Sequence, residues 1–237
     1  MKIKSVLQLI SISAAVLIAA CAVRAKATPI PINNFSFENP PQADGTDGAL
    51  AIIPGWRANN GLSNIENPSS AQYAQLADII SDPHADGHQY AQGELLPGQG
   101  TGWYSDPTTL PIVPDTTYTL TVAAGHALNV PAPTYAVYFT AADGTLLNQV
   151  SLSGSLVPAG SFEDLTLTYL SPGSGSVIGQ DMVINLRFTN LDQVFEEGQF
   201  DNVRLDAAPE PGSLAIIGGV FAVLLMLRRP KVEEVVK

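Results

Sequence analysis

Cysteine is all but missing from this chain. Cys21 is the one thiol in 237 residues, so no disulfide can close within the chain and no thiolate pair can hold a metal. Basic residues are scarce in the body. Of the 11 Lys and Arg, eight crowd the two ends (Lys2, Lys4, Arg24, Lys26, Arg228, Arg229, Lys231, Lys237). Only Arg57, Arg187 and Arg204 lie between positions 28 and 209, against 19 acidic residues, a net charge of −16. Such a surface repels polyphosphate, which sets nucleic acid aside as a partner. It attracts divalent cations, or simply keeps an exported protein soluble. The body also lacks any long apolar run of 3.6-residue period, which argues against a helical fold. No G-x-S-x-G motif occurs, no second cysteine offers a nucleophile, and His126 stands alone without triad partners.

What is present is organised by the two ends. Lys2 and Lys4 precede an apolar stretch from Ile10 to Ala22, and Ala25-Lys26-Ala27 offers small residues for cleavage before Thr28. That order is the n-region, h-region and A-x-A site of a secretory signal peptide, a substrate of signal peptidase. Ile18-Ala19-Ala20-Cys21 also resembles a lipobox, in which Cys21 would be lipidated and kept. The opposite end, from Ala207 to Lys237, runs from Pro209-Glu210-Pro211 through an uncharged apolar run, Ser213 to Leu227, to Arg228, Arg229 and Lys231. Fifteen residues at about 1.5 Å each make about 22 Å of helix, short of the ~30 Å hydrocarbon core. The run spans only with its basic flank snorkelling to the interface or with the bilayer thinned. The basic cluster should stay cytoplasmic and leave the body outside.

Pro-Glu-Pro, apolar helix and Arg-Arg in that order resemble the PEP-CTERM sorting signal of exported bacterial proteins, over about residues 208–231. The resemblance implies cutting by an exosortase-type membrane protease near Pro209, Glu210 and Pro211, then transfer to the cell surface or its polysaccharide. The tail after Arg229 is longer than the usual basic stop, and a plain single-span anchor is the competing reading. The expected organisation is a signal peptide over 1–27, a β-sandwich domain over 28–206 and a sorting and anchor segment over 207–237. The expected location is the inner membrane before processing, then the cell surface or extracellular matrix.

Between the ends, short β-branched and aromatic runs are separated by Gly, Pro, Asn and Asp. Ile30–Glu38 reads as a first strand. Gln72–Ile80 reads as a short strand or a turn of helix. In Thr117–Ala123, Tyr118, Leu120 and Val122 share one face, the period of a half-buried strand. Tyr135–Ala141, Asp143-Gly144 and Leu146–Leu152 read as a hairpin. Phe162–Tyr169, Met182–Phe188 and Gln199–Leu205 complete nine or ten strands. The expected fold class is all-β: an antiparallel β-sandwich of jelly-roll type, flanked by a signal helix and a membrane helix.

Two stretches carry a paired signature: Asn33-Asn34-Phe35-Ser36-Phe37-Glu38-Asn39-Pro40 with Trp56 downstream, and Phe200-Asp201-Asn202-Val203-Arg204-Leu205 at the close. They resemble the galactose-binding-like jelly rolls of carbohydrate-binding modules, and within these the Stig cyclase group, calcium-dependent enzymes that close polycyclic indole alkaloids. Thr116-Thr117-Tyr118-Thr119-Leu120 matches the same group. The resemblance implies that the first and last strands bring Glu38 and Asp201 together and that a structural Ca²⁺ sits there, a hard cation wanting 6–8 oxygens. The competing reading is two solvated strand-end acids. Asp82-Pro-His84-Ala-Asp86-Gly-His88 gathers metal-ligand types, but Pro83 and Gly87 argue against the helix that would put both histidines on one face.

For an enzyme the resemblance implies an aspartic acid that protonates the substrate while aromatic rings stabilise the developing cation, and Asp201 is the catalytic candidate by motif. Trp56, Trp103, Tyr104, Tyr135 and Phe139 either line a ligand-binding face or fill the core. The leading expectation is an exported, non-enzymatic surface or matrix protein. Its sandwich would be carbohydrate-binding-like, calcium-stabilised and associated with extracellular polysaccharide. The alternative is a calcium-dependent cyclase-like enzyme with Asp201 as proton donor.

Overall fold

A computed structural model of the chain describes residues 26–48, 52–60, 63–68, 79, 82–106, 110–128, 130–192 and 194–210. The signal-peptide core, the apolar run from Ser213, and Pro211, Arg228 and Arg229 lie outside the described residues, as does nearly all of Gln72–Ile80. Pro209 ends the last strand and Glu210 is exposed beside it. Among the described residues no helix is long and apolar enough to cross a membrane. Thr28–Ala207 forms one compact unit.

Thirteen strands follow one another among the described residues. They are β1 (Thr28–Ile30), β2 (Thr46–Gly48), β3 (Ile52–Ile53), β4 (Trp56–Ala58), β5 (Ser63–Asn67), β6 (Tyr90–Leu95) and β7 (Gly100–Ser105). The longer ones come after: β8 (Thr116–His126), β9 (Thr134–Ala141), β10 (Leu146–Ser153), β11 (Ser161–Leu170), β12 (Met182–Thr189) and β13 (Glu196–Pro209). One sheet has the order β11-β8-β13-β6-β5-β2, with β1 also on β13; the other has the order β10-β9-β12-β7-β4-β3. The fold is therefore an all-β antiparallel sandwich of two sheets.

Period-2 patterning decides which side chains meet between the sheets. Tyr118, Leu120 and Val122 of β8 point inward, as do Tyr135, Val137 and Phe139 of β9 and Met182, Ile184, Leu186 and Phe188 of β12. Phe188 stacks on Phe200 of β13 at 4.5 Å between ring centroids, with Tyr135 edge-on to both. The expected hairpin is present: Gly144 sits at φ 86° between β9 and β10, and Asp143 Oδ1 accepts the Thr145 N–H at 2.9 Å.

The first strand is shorter than the sequence suggests. Ile30–Glu38 does not run extended, because Asn34 and Phe37 both take positive φ (53° and 58°) and the Phe37 N–H closes a turn on the Asn34 carbonyl. The turn drives Phe37 into the core against Trp56 (5.2 Å) and Trp103 (6.3 Å). Burying that ring outweighs continued ladder pairing, and the turn leaves Glu38 pointing at the segment between β5 and β6.

Candidate active site

Alternation along β13 sends Phe200 into the core and Asp201 to the outer face of the larger sheet. Asn202, at φ 48°, breaks the alternation, and its N–H turns back to Asp201 Oδ1 at 2.7 Å. The segment before β6 folds over this point. The Asp86 N–H donates to Asp201 Oδ2 at 2.7 Å, and Asn202 Nδ2 donates to the His84 carbonyl at 2.7 Å. Glu38 holds the same segment one step further on, its Oε1 accepting the N–H groups of His88 and Gln89, each at 2.6 Å. Asp82 ties the segment's start to β11, accepting the Phe162 N–H at 3.0 Å and the His84 N–H at 2.9 Å. Arg204 and His84 both face Asp164.

Asp201 is fully buried. Burial pushes its pKa well above the usual carboxylate range, and the nearby charges of Glu38 and Asp86 push the same way. The two N–H donors pull it down by less. A neutral carboxyl, able to give up a proton, is what this environment favours. Beside it on β6 stands Tyr90, since Phe200 pairs with Ala91 in the ladder. Tyr90 packs with Ile79, Ala123 and Phe162 in a small apolar cluster on the outer face, 6.3 Å from the Phe162 ring centroid.

The outer face continues as a grid of polar side chains. Glu66 of β5 pairs with Tyr90, Asn64 with Gln92, Gln92 with Gln199, and Glu94 with Glu197. Glu66, Gln92 and Gln199 are buried, Glu197 is half-buried and Glu94 is exposed. Burial raises the Glu197 pKa first and the Glu94 charge raises it further, while hydrogen bonds from Gln199 and Gln92 oppose both. Sequence reasoning passed over Tyr90, Gln92, Gln199 and Phe162. Their signal was polar residues in step on β6 and β13, facing a segment rich in Asp and His.

Glu38 and Asp201 both accept N–H groups of the segment before β6, and their surroundings do not fit a calcium cage. Four backbone N–H groups already point at their oxygens, where a calcium needs six to eight oxygen ligands. Among the described residues no group of three or more His, Cys, Asp or Glu side chains could hold a metal ion. The pair works as a hydrogen-bonded clasp on residues 86–89.

The aromatic expectation needs correction. Trp56, Trp103, Tyr135 and Phe139 are fully buried between the sheets, packed as core, and line no open face. Tyr104 alone is exposed, on the outer face of the smaller sheet beside a dimple of about 30 Å³ shared with Tyr138 and Arg187. It lies on the opposite sheet from Asp201.

Three crystal structures of cyclases from Fischerella sp. TAU share the fold over 78% of this chain. The Stig cyclase Fisc in complex with (3Z)-3-(1-methyl-2-pyrrolidinylidene)-3H-indole has 24% identity, is covered completely and gives a TM-score of 0.65. A second cyclase has 25% identity, 99% coverage and a TM-score of 0.63. A cyclase in complex with 4-(1H-indol-3-yl)butan-2-one has 26% identity, 99% coverage and a TM-score of 0.63. No curated protein matches the chain. The sequence model of the HpiC1-like family, described as HpiC1 cyclase, matches residues 28–206. That match overturns the expectation of a non-enzymatic carbohydrate-binding protein and points to an enzyme: this chain belongs to the HpiC1-like family of cyclases.

Proposed function

We propose that this protein is an acid-initiated cyclase acting on an indole-bearing substrate, with Asp201 as the proton donor. The observation that carries the reading is a fully buried carboxyl with a raised pKa, held by the Asp86 and Asn202 N–H groups beside Tyr90. The indole ligands of the Fischerella cyclases supply the substrate class.

The chemistry balances without net gain or loss of atoms. The Asp201 carboxyl gives its proton to a substrate π bond, and the resulting carbocation is attacked by a second π bond, closing a ring. Loss of a proton from the cyclised cation to the Asp201 carboxylate restores the acid. The Asp86 and Asn202 N–H groups hold the carboxyl in place and support the transient anion. The Tyr90 and Phe162 rings lie on the same face, where aromatic faces stabilise positive charge. Because ring closure is an isomerisation, an alkenyl indole incubated with the protein should change retention time at unchanged mass. Asp201→Asn should abolish that change while leaving a cooperative melt. Turnover preserved in the folded variant would overturn the assignment.

We also propose that the body is exported. The support is Lys2 and Lys4 with the Ala25-Lys26-Ala27 site, and Pro209-Glu210-Pro211 with Arg228-Arg229, read as substrates of signal peptidase and an exosortase-type protease. Intact mass of protein recovered from cell fractions tests this. An unprocessed chain in the cytosolic fraction would overturn it.

A further inference from the structure

Next to Asp201 the outer face carries a row of amide and carboxylate side chains on β5, β6 and β13. Gln92 and Gln199 stand opposite each other on β6 and β13 and are 2% and 0% exposed. Gln199 Nε2 donates to Glu197 Oε1 at 2.8 Å, and the Gln92 side chain also hydrogen-bonds the Glu197 carboxylate. With their amide nitrogens turned to Glu197, both amide oxygens are left buried with no hydrogen-bond partner. A buried acceptor left unpaired is costly, so two side by side call for a donor.

Charge selects the kind of donor. Around the two amides lie Glu66, Glu94, Glu197 and Asp201. Among the described residues no basic side chain serves this face. Arg204 is held by Asp164, Arg57 by Asp106, and Arg57 and Arg187 belong to the other sheet. The row is buried at Gln92 and Gln199 and opens toward Glu197 and Glu94, which gives a cation an entrance lined by carboxylates.

We propose that the Gln92 and Gln199 amide oxygens, backed by Glu197, hold a protonated amine of the substrate in the row next to Asp201. The inference rests on the cyclase reading above and narrows its substrate class: an indole carrying an alkylammonium group. An ammonium has three donors and no acceptor, which suits two amide oxygens and a carboxylate. A buried water could satisfy the amide oxygens but leaves the carboxylate charge uncompensated.

The test is a pair of probes of nearly equal shape, tryptamine and 3-propylindole, titrated calorimetrically into the intact protein at neutral pH. Tryptamine should bind at least tenfold tighter. That preference should fall below threefold both in the Gln92→Leu/Gln199→Leu double variant and in Glu197→Gln, with 3-propylindole affinity unchanged. Glu197→Gln keeps the side-chain shape and guards against misfolding of the double variant, and melting curves verify both. Equal affinities in the unaltered protein, as expected if only water fills the site, would overturn the proposal, as would a preference surviving in folded Glu197→Gln. Failure here alongside cyclisation that is sensitive to Asp201→Asn would sink the amine alone. Cyclisation indifferent to Asp201→Asn would sink the acid, whatever the probes do.

Discussion

The backbone N–H of Asp86 reaches across 115 positions of sequence to Oδ2 of Asp201 at 2.7 Å. A loop amide thus fixes this oxygen but, unlike a cationic partner, does not cancel the cost of burying an anion. Hydrogen bonds from N–H groups favour the ionised form, but here desolvation outweighs them. The site is therefore tuned toward a neutral acid, and its behaviour with pH follows.

The folded pKa of Asp201 lies above its unfolded value near 3.8. The native state then binds the proton more tightly than the unfolded chain, so the acid contributes stability at low pH. That contribution is lost as pH rises from about 4 through the raised pKa. Glu196 and Glu197 shift in the same direction and add to the trend. Melting temperature should decline across this window, and less steeply in Asp201→Asn. Turnover should be flat at acidic pH and fall as the same group ionises. Parallel melt profiles for the two proteins would show that Asp201 titrates normally.

Gly87 should not tolerate a side chain. It sits at φ 81°, and a Cβ there would come within 2.3 Å of Glu38 Oε1, an atom fixed by two N–H donors. Gly87→Ala meets a backbone penalty of about 1 kcal/mol or more plus displacement of Glu38. A melting-temperature drop of about 2–6 °C is expected from that size of change in a body this long. Faster hydrogen exchange at the His88 and Gln89 amides would locate the damage in the clasp.

The strands were legible in the sequence wherever one face is apolar and the other is not: β8, β9 and β12 announce themselves by alternation. Ile30–Glu38 misled because Asn34 and Phe37 leave the extended region, and period-2 reading assumes a chain that stays in it. The aromatics misled for a simpler reason. Composition cannot tell a ring facing the opposite sheet from one facing solvent, and Trp56, Trp103, Tyr135 and Phe139 all face inward. Asp201 and Glu38 could be singled out because their motifs are local. Gln92 and Gln199 were not, since their meaning depends on β6 lying beside β13, a pairing between segments about a hundred residues apart.

Phe200 anchors the inner side of the strand that carries Asp201. Its ring stacks on Phe188 and meets the edge of Tyr135, all three fully buried. Phe200→Ala should cost about 3–5 kcal/mol through lost burial and a residual cavity. Denaturant unfolding should show a lower midpoint with an unchanged slope. A loss under 1 kcal/mol would mean that the core closes around the missing ring.

Asp82 offers a way to loosen the segment over the site without touching the acid. Its carboxylate accepts the Phe162 and His84 N–H groups, joining the segment to β11 next to the Tyr90–Phe162 pair. Asp82→Ala leaves both amides without that acceptor, and hydrogen bonds to charged groups are worth about 1.5–3 kcal/mol each before water replaces them. Faster exchange at the Phe162 and His84 amides is expected, with a modest fall in melting temperature. The more telling effect is on Asp201: a looser cover admits water, desolvation falls, and the raised pKa moves back toward the ordinary carboxylate value. The descending limb of the turnover profile, where Asp201 ionises, should then shift to lower pH in Asp82→Ala. An unshifted profile with faster amide exchange would mean that the cover over Asp201 is held by the Asp86 and Asn202 contacts alone.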